Sequence, residues 1–71
     1  MYGFVKWFSY EKRFGFLTGE DGNEYFVHAN SVEAGDYLES GDRVSFREKH
    51  TDKGNGAVDV KLVGLLDLGD N

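Results

Sequence analysis

The chain has 71 residues, 13 of them acidic and 8 basic, with a formal charge of −5 and no cysteine. A chain of this length is one small domain whose core supplies only about 3 to 5 kcal/mol, and without cysteine neither a disulfide nor a thiolate-held zinc adds to it. The carboxylate excess excludes a binder that works by bulk attraction to phosphate, and no apolar run is long enough to span a membrane. The first apolar run carries Lys6 and lacks the long uncharged stretch of a secretion signal, so a soluble protein of the reducing cytoplasm is expected.

Tyr2 to Phe8, aromatic and β-branched, predicts a first strand with Val5 as its inward anchor and Lys6 in solvent. Trp7 and Phe8 are consecutive and should face opposite ways. After a polar turn over Ser9 to Arg13, Phe14 to Thr18 reads as a second strand antiparallel to the first. Gly19 to Asn23 is a hairpin signal, with Asp21 and Gly22 tolerating positive φ; the carboxylate spacing does not fit a calcium loop, and no metal is expected. Glu24 to His28 is the third strand.

Asn30 to Tyr37 lacks period-two alternation, and Asn30 or Ser31 is suited to cap one helical turn before Val32 and Glu33. In the following loop Leu38 is the expected anchor, leaving Tyr37 to lean toward the aromatic face. Arg43 to Glu48, extending toward Lys49, predicts strand four, with Val44 and Phe46 on one side. His50 to Gly56 reads as a turn and Ala57 to Val63 as strand five, with Val58, Val60 and Leu62 alternating against Asp59 and Lys61. Residues 1–64 form the expected domain. Residues 65–71, with Leu65, Leu66 and Leu68, are a short tail for which fraying is the default.

Five short strands leave exposed edges unless the sheet closes, so an all-β, five-stranded antiparallel barrel is expected. Its core candidates are Val5, Leu17, Val27, Val32, Val44, Phe46, Val58, Val60 and Leu62. Phe14 and Phe16 share one face of strand two, and Phe26 and His28 share one face of strand three. Facing them inward would bury an imidazole and expel Leu17 and Val27. Facing them outward leaves Leu17, Tyr25 and Val27 inside and exposes an aromatic patch of the kind that marks a binding surface. Periodicity alone leaves both orientations open.

Three motifs in order carry a resemblance: VKWF at Val5 to Phe8, FGFL at Phe14 to Leu17 and YFVH at Tyr25 to His28. VSF at Val44 to Phe46 and KGNGAVDV at Lys53 to Val60 continue it. From Gly3 to Val63 the chain resembles the cold-shock domain family. The resemblance implies a Greek-key barrel of the OB type that binds single-stranded RNA or DNA, as an RNA chaperone or transcription antiterminator. Carried over by position, Trp7, Phe8, Phe14, Phe16, Phe26 and His28 form a stacking platform with Tyr37 at its rim. Lys6, Lys12 and Lys53 fall where the family keeps basic or polar contacts.

The chain departs from the family pattern at several positions. Ser9 stands where asparagine is usual and Arg13 where glycine precedes FGF, placing a cation at a backbone position often left free for positive φ. Ala29 replaces a frequent aromatic, Tyr25 an inward valine whose place now carries a hydroxyl in need of a partner, and Asn55 a proline. The loop before Leu38 is about two residues short of the family's. A barrel that serves as a protein-interaction module is the alternative. An enzyme is not expected, since His28 and His50 are the only histidines and no carboxylate pair stands out; no cofactor is implied. A monomer is expected, with a strand-exchanged dimer as the variant open to small barrels.

Overall fold

The structure, a computed structural model, describes residues 1–63; the expected tail at 65–71 lies outside the described residues. Five strands follow in order: β1 (Tyr2–Ser9), β2 (Phe14–Gly19), β3 (Glu24–His28), β4 (Arg43–Thr51) and β5 (Gly54–Leu62), with one 3-10 turn at Ala29–Ser31 after β3. They close in the order β1-β2-β3-β5-β4. The first three strands form a meander, and β4 returns to pair with β1, which is the Greek-key connection. Four pairings are antiparallel; the closing seam between β3 and β5 is parallel, with Phe26 opposite Gly56.

The core comprises Val5, Leu17, Tyr25, Val27, Leu38, Val44, Phe46, Ala57 and Val60. β2 and β3 alternate strictly, so Leu17, Tyr25 and Val27 point in while Phe14, Phe16, Phe26 and His28 point out. Leu38 anchors the long loop as expected and is 1% exposed. The hydroxyl of buried Tyr25 finds its partner in Asp21, donating to Oδ2 at 2.5 Å, and its ring meets Phe46 at 5.1 Å.

Two bulges break the alternation. In β1, Val5 pairs with Leu17 but Trp7 pairs with Phe16, so Lys6 is an extra residue and both Lys6 and Trp7 face outward. In β5, Lys61 pairs with Ser45 and Val58 with Arg47, which sets Asp59 and Val60 against Phe46 alone. Asp59 adopts φ 53°, and its carboxylate accepts from Arg47 Nε at 2.7 Å. The expected inward set of β5 is corrected accordingly. Ala57 and Val60 are buried, Val58 is half-buried and Leu62, at the strand end, is 36% exposed. Val32 is likewise only half-buried, packed against the core's margin.

Two boundaries also differ from expectation. β4 and β5 run much further than their apolar residues suggest, so most of His50 to Gly56 is paired strand rather than turn, with Asp52 and Lys53 left at the tip. The helical turn starts before Asn30, with His28 as its cap. Neither Asn30 nor Ser31 takes that role because the His28 ring nitrogen Nδ1 already accepts the Asn30 N–H at 3.1 Å.

Candidate nucleic-acid interface

Register places the aromatic residues in rows across the outer face of β1, β2 and β3. Trp7, Phe16 and Phe26 are consecutive partners in one row, and Ser9, Phe14 and His28 form the next. Trp7 lies 5.6 Å from both Phe14 and Phe16, while Phe26 lies 5.6 Å from Phe14 and 5.7 Å from Phe16. The four rings thus make one contiguous surface. Trp7 and Phe26 are 38% and 41% exposed, and Phe14, Phe16 and His28 are half-buried against their neighbours.

Two local features let β1 and β2 support this surface. Gly15 points inward beneath it, where any Cβ would meet the Trp7 carbonyl oxygen at 2.2 Å and Phe8 Cα at 2.7 Å. Arg13, just ahead of Phe14, adopts φ 68°. Its N–H donates to the Ser9 carbonyl at 2.7 Å and its carbonyl accepts from Ala29 at 2.9 Å, so the backbone contacts of a tight turn hold the left-handed conformation in place. The Arg13 guanidinium reaches Asn30 Oδ1 at 3.4 Å and is otherwise in solvent.

His28 completes the lower row with a defined tautomer. Nδ1 accepts the Asn30 N–H, which leaves Nε2 as the donor. Lys6 forms an ion pair with Glu24, both side chains half exposed, so the cation nearest Trp7 already has a partner. Lys12 and Lys53 are exposed. A groove of about 880 Å³ separates the outer face of β3, at Phe26 and His28, from the β4–β5 hairpin, where Lys49, Lys53 and Asn55 line the far wall.

The structure therefore brings together Trp7, Phe14, Phe16, Phe26 and His28, with Lys6 beside them and Lys53 across the groove. It does not bring Phe8 or Tyr37 into that surface. Phe8 faces away from Trp7, packs on the core and meets Tyr10 at 4.6 Å. Tyr37 stacks on Tyr10 instead of the sheet rings. Tyr10, inside the polar turn, and Lys49, toward which β4 is expected to extend, are not among the site residues the sequence marks; an aromatic interrupting a polar turn is the available signal for the first. Tyr2 and Phe4 are also outward and exposed, at the opposite end of β1, with the Arg43 guanidinium 5.2 Å from the Tyr2 ring centre.

A closed Greek-key barrel with an aromatic outer face on its first three strands is a barrel of the OB type. The family model of the 'cold-shock' DNA-binding domain matches residues 1–63. Cold shock protein 1 of Lactiplantibacillus plantarum is 45% identical over 60 residues, covering 82% of this chain and 91% of that one. The major cold shock protein CspA of Pseudomonas aeruginosa is 43% identical over 63 residues, covering 86% and 91%. The solved structure of drosophila Unr CSD456 matches with a TM-score of 0.70 at 19% identity, over 90% of this chain but 26% of that longer one, a likeness of fold alone. The chain belongs to the cold-shock domain family, whose members bind nucleic acid.

Proposed function

We propose that this protein binds single-stranded RNA or DNA by stacking successive bases on Trp7, Phe14, Phe16 and Phe26, with His28 Nε2–H donating to the ligand at the end of the row. The observation that carries the reading is the contiguous four-ring surface left open on a domain with little core to spare. Each ring offers a π-face to a base for about 1 to 3 kcal/mol, whatever the base. Bases in a duplex are already stacked, so such a surface selects unpaired strands.

Affinity comes mainly from stacking because the chain is acidic and Lys6 is paired with Glu24. Lys12, Arg13, Lys49 and Lys53 are exposed cations available to phosphate. A protein that holds strands open in this way, without an energy source, acts as an RNA chaperone or antiterminator in the cytoplasm. Among the described residues the sheet closes on itself, which favours a monomer.

Titration with a heptathymidine, followed by Trp7 fluorescence, tests the reading. Strong quenching is expected. Unchanged emission together with no heat in calorimetry would overturn it in favour of a protein-interaction module.

A further inference from the structure

The outer face of β1 carries two aromatic side chains that the four-ring surface does not use. Tyr2 and Phe4 are 47% and 54% exposed, and their register partners on β4 are Ser45 and Arg43. Ser45 is in turn opposite Lys61 of β5. Directly opposed residues share a face, so the two rings, Arg43 and Lys61 form one exposed patch, with the Arg43 guanidinium held over the Tyr2 ring. A domain with so small a core leaves large rings in water only at a cost.

The described chain ends beside this patch. The Val63 N–H donates to the Arg43 carbonyl at 2.9 Å, which sets Val63 at the end of the row that holds Phe4. Residues 64–71 then read GLLDLGDN, with Leu65, Leu66, Leu68, Asp67 and Asp70 and no basic side chain. The outer face of β1 is two strand spacings, about 10 Å, from the end of β5. At about 3.3 Å per residue, Leu65 to Leu68 come within about 7 to 17 Å of Val63, enough to reach both rings.

We propose that residues 64–71 turn back over β4 and dock on this patch, the leucines covering Tyr2 and Phe4 and the aspartates meeting Arg43 and Lys61. Each class of side chain in the segment finds its complement there, whereas the domain as a whole is acidic and repels a second negative segment. A second copy presenting the same patch would bring Arg43 and Lys61 against like charges. Being tethered, the segment also avoids the loss of translational freedom that a separate partner incurs. It serves as an intramolecular cover that keeps an apolar patch from self-association, and no step of the proposal needs the single-strand reading.

The test is a thermal-melt cycle on the full chain. One arm replaces Leu65, Leu66 and Leu68 together by serine; the other is Tyr2→Thr with Phe4→Thr, which keeps strand propensity. The serine change is expected to lower Tm by about 4 °C or more in the wild-type background. In the threonine background it should lower Tm by no more than about 1 °C, because the partner surface is already gone, and neither shift should depend on protein concentration. The ring-proton resonances of Tyr2 and Phe4 should move in the serine variant, a readout independent of melting. Equal shifts in both backgrounds would place the segment elsewhere, and no shift with unmoved resonances would leave it in solvent. A shift that grows with protein concentration would assign the patch to a second copy; each of these three outcomes overturns the proposal.

Discussion

The sheet rings and the stack of Tyr10 on Tyr37 are two aromatic groups built by different means. The sheet rings owe their places to strand register: once Leu17 and Val27 are inside, Phe16 and Phe26 must be outside, because a strand reverses direction at every residue. Tyr10 and Tyr37 owe theirs to a contact between segments 27 residues apart in sequence, set by a hydrogen bond to Leu38 and by nothing periodic. The first group is therefore as stable as the barrel, whereas the second can be released by local changes that leave the barrel intact.

The largest expected effect comes from the inward side of β2. Leu17→Ala should cost about 2 to 5 kcal/mol, comparable with the whole stability of so small a domain, and remove both groups together. Circular dichroism would show a largely unfolded chain at room temperature, and a cooperative melt close to the wild type's would contradict the assignment of Leu17 to the core. One residue away the outcome should be opposite. Phe16→Ala or Phe26→Ala should weaken oligothymidine binding by about 1 to 3 kcal/mol, or roughly 5- to 150-fold, while shifting the melting temperature only a little. If either change unfolded the protein and left the binding of its folded fraction unaltered, the rings would be core and not surface.

Arg13 sharpens the comparison because it bears on backbone strain and charge together. Arg13→Gly removes a side chain from a left-handed position, worth about 1 kcal/mol of stability, and should raise the melting temperature by about 4 to 8 °C for a domain of this size. The same change removes one cation. The log–log salt slope, about −1.4 to −2.8 for two to four phosphate contacts, should become shallower by about 0.7 if Arg13 touches the strand. A slope that stays put would assign Arg13 to the turn alone.

The smallest effect concerns Tyr25 and Asp21 at the hairpin end, away from both groups. The hydrogen bond from Tyr25, followed by one from the Asn23 N–H, holds the Asp21 carboxyl below its ordinary value. The same bond, with burial second, pushes the Tyr25 hydroxyl up to about 12. The depressed carboxylate contributes stability that is full above the ordinary carboxylate range and is lost as pH falls through its folded value. The raised phenol contributes stability that is full below about pH 10 and is lost as pH rises toward about 12. Melting temperature against pH for the wild type and Tyr25→Phe should thus show a gap that is constant between these limits and closes at both ends. A gap independent of pH would mean that the Tyr25 hydroxyl does not act through Asp21.

Sequence by itself determined much of this protein. Alternation in β2 and β3 marked Leu17, Tyr25 and Val27 as partners on one face and Phe14, Phe16, Phe26 and His28 on the other, and turn residues separated the strands. The five-strand count required closure, and the family resemblance, through the glycine usual before FGF, marked Arg13 as a cation at a position suited to positive φ, where it stands at φ 68°. Tertiary structure decided what alternation cannot express. Extra residues at Lys6 and Asp59 are visible only against the partner strand, and the second of these exchanges Val58 and Leu62 for Ala57 in the core. The polar arms of the β4–β5 hairpin are strands because they pair with each other, not because they are apolar. Tyr10 and Tyr37 meet because the closing barrel brings a turn and a distant loop to the same end, a proximity set by topology and carried by no local pattern.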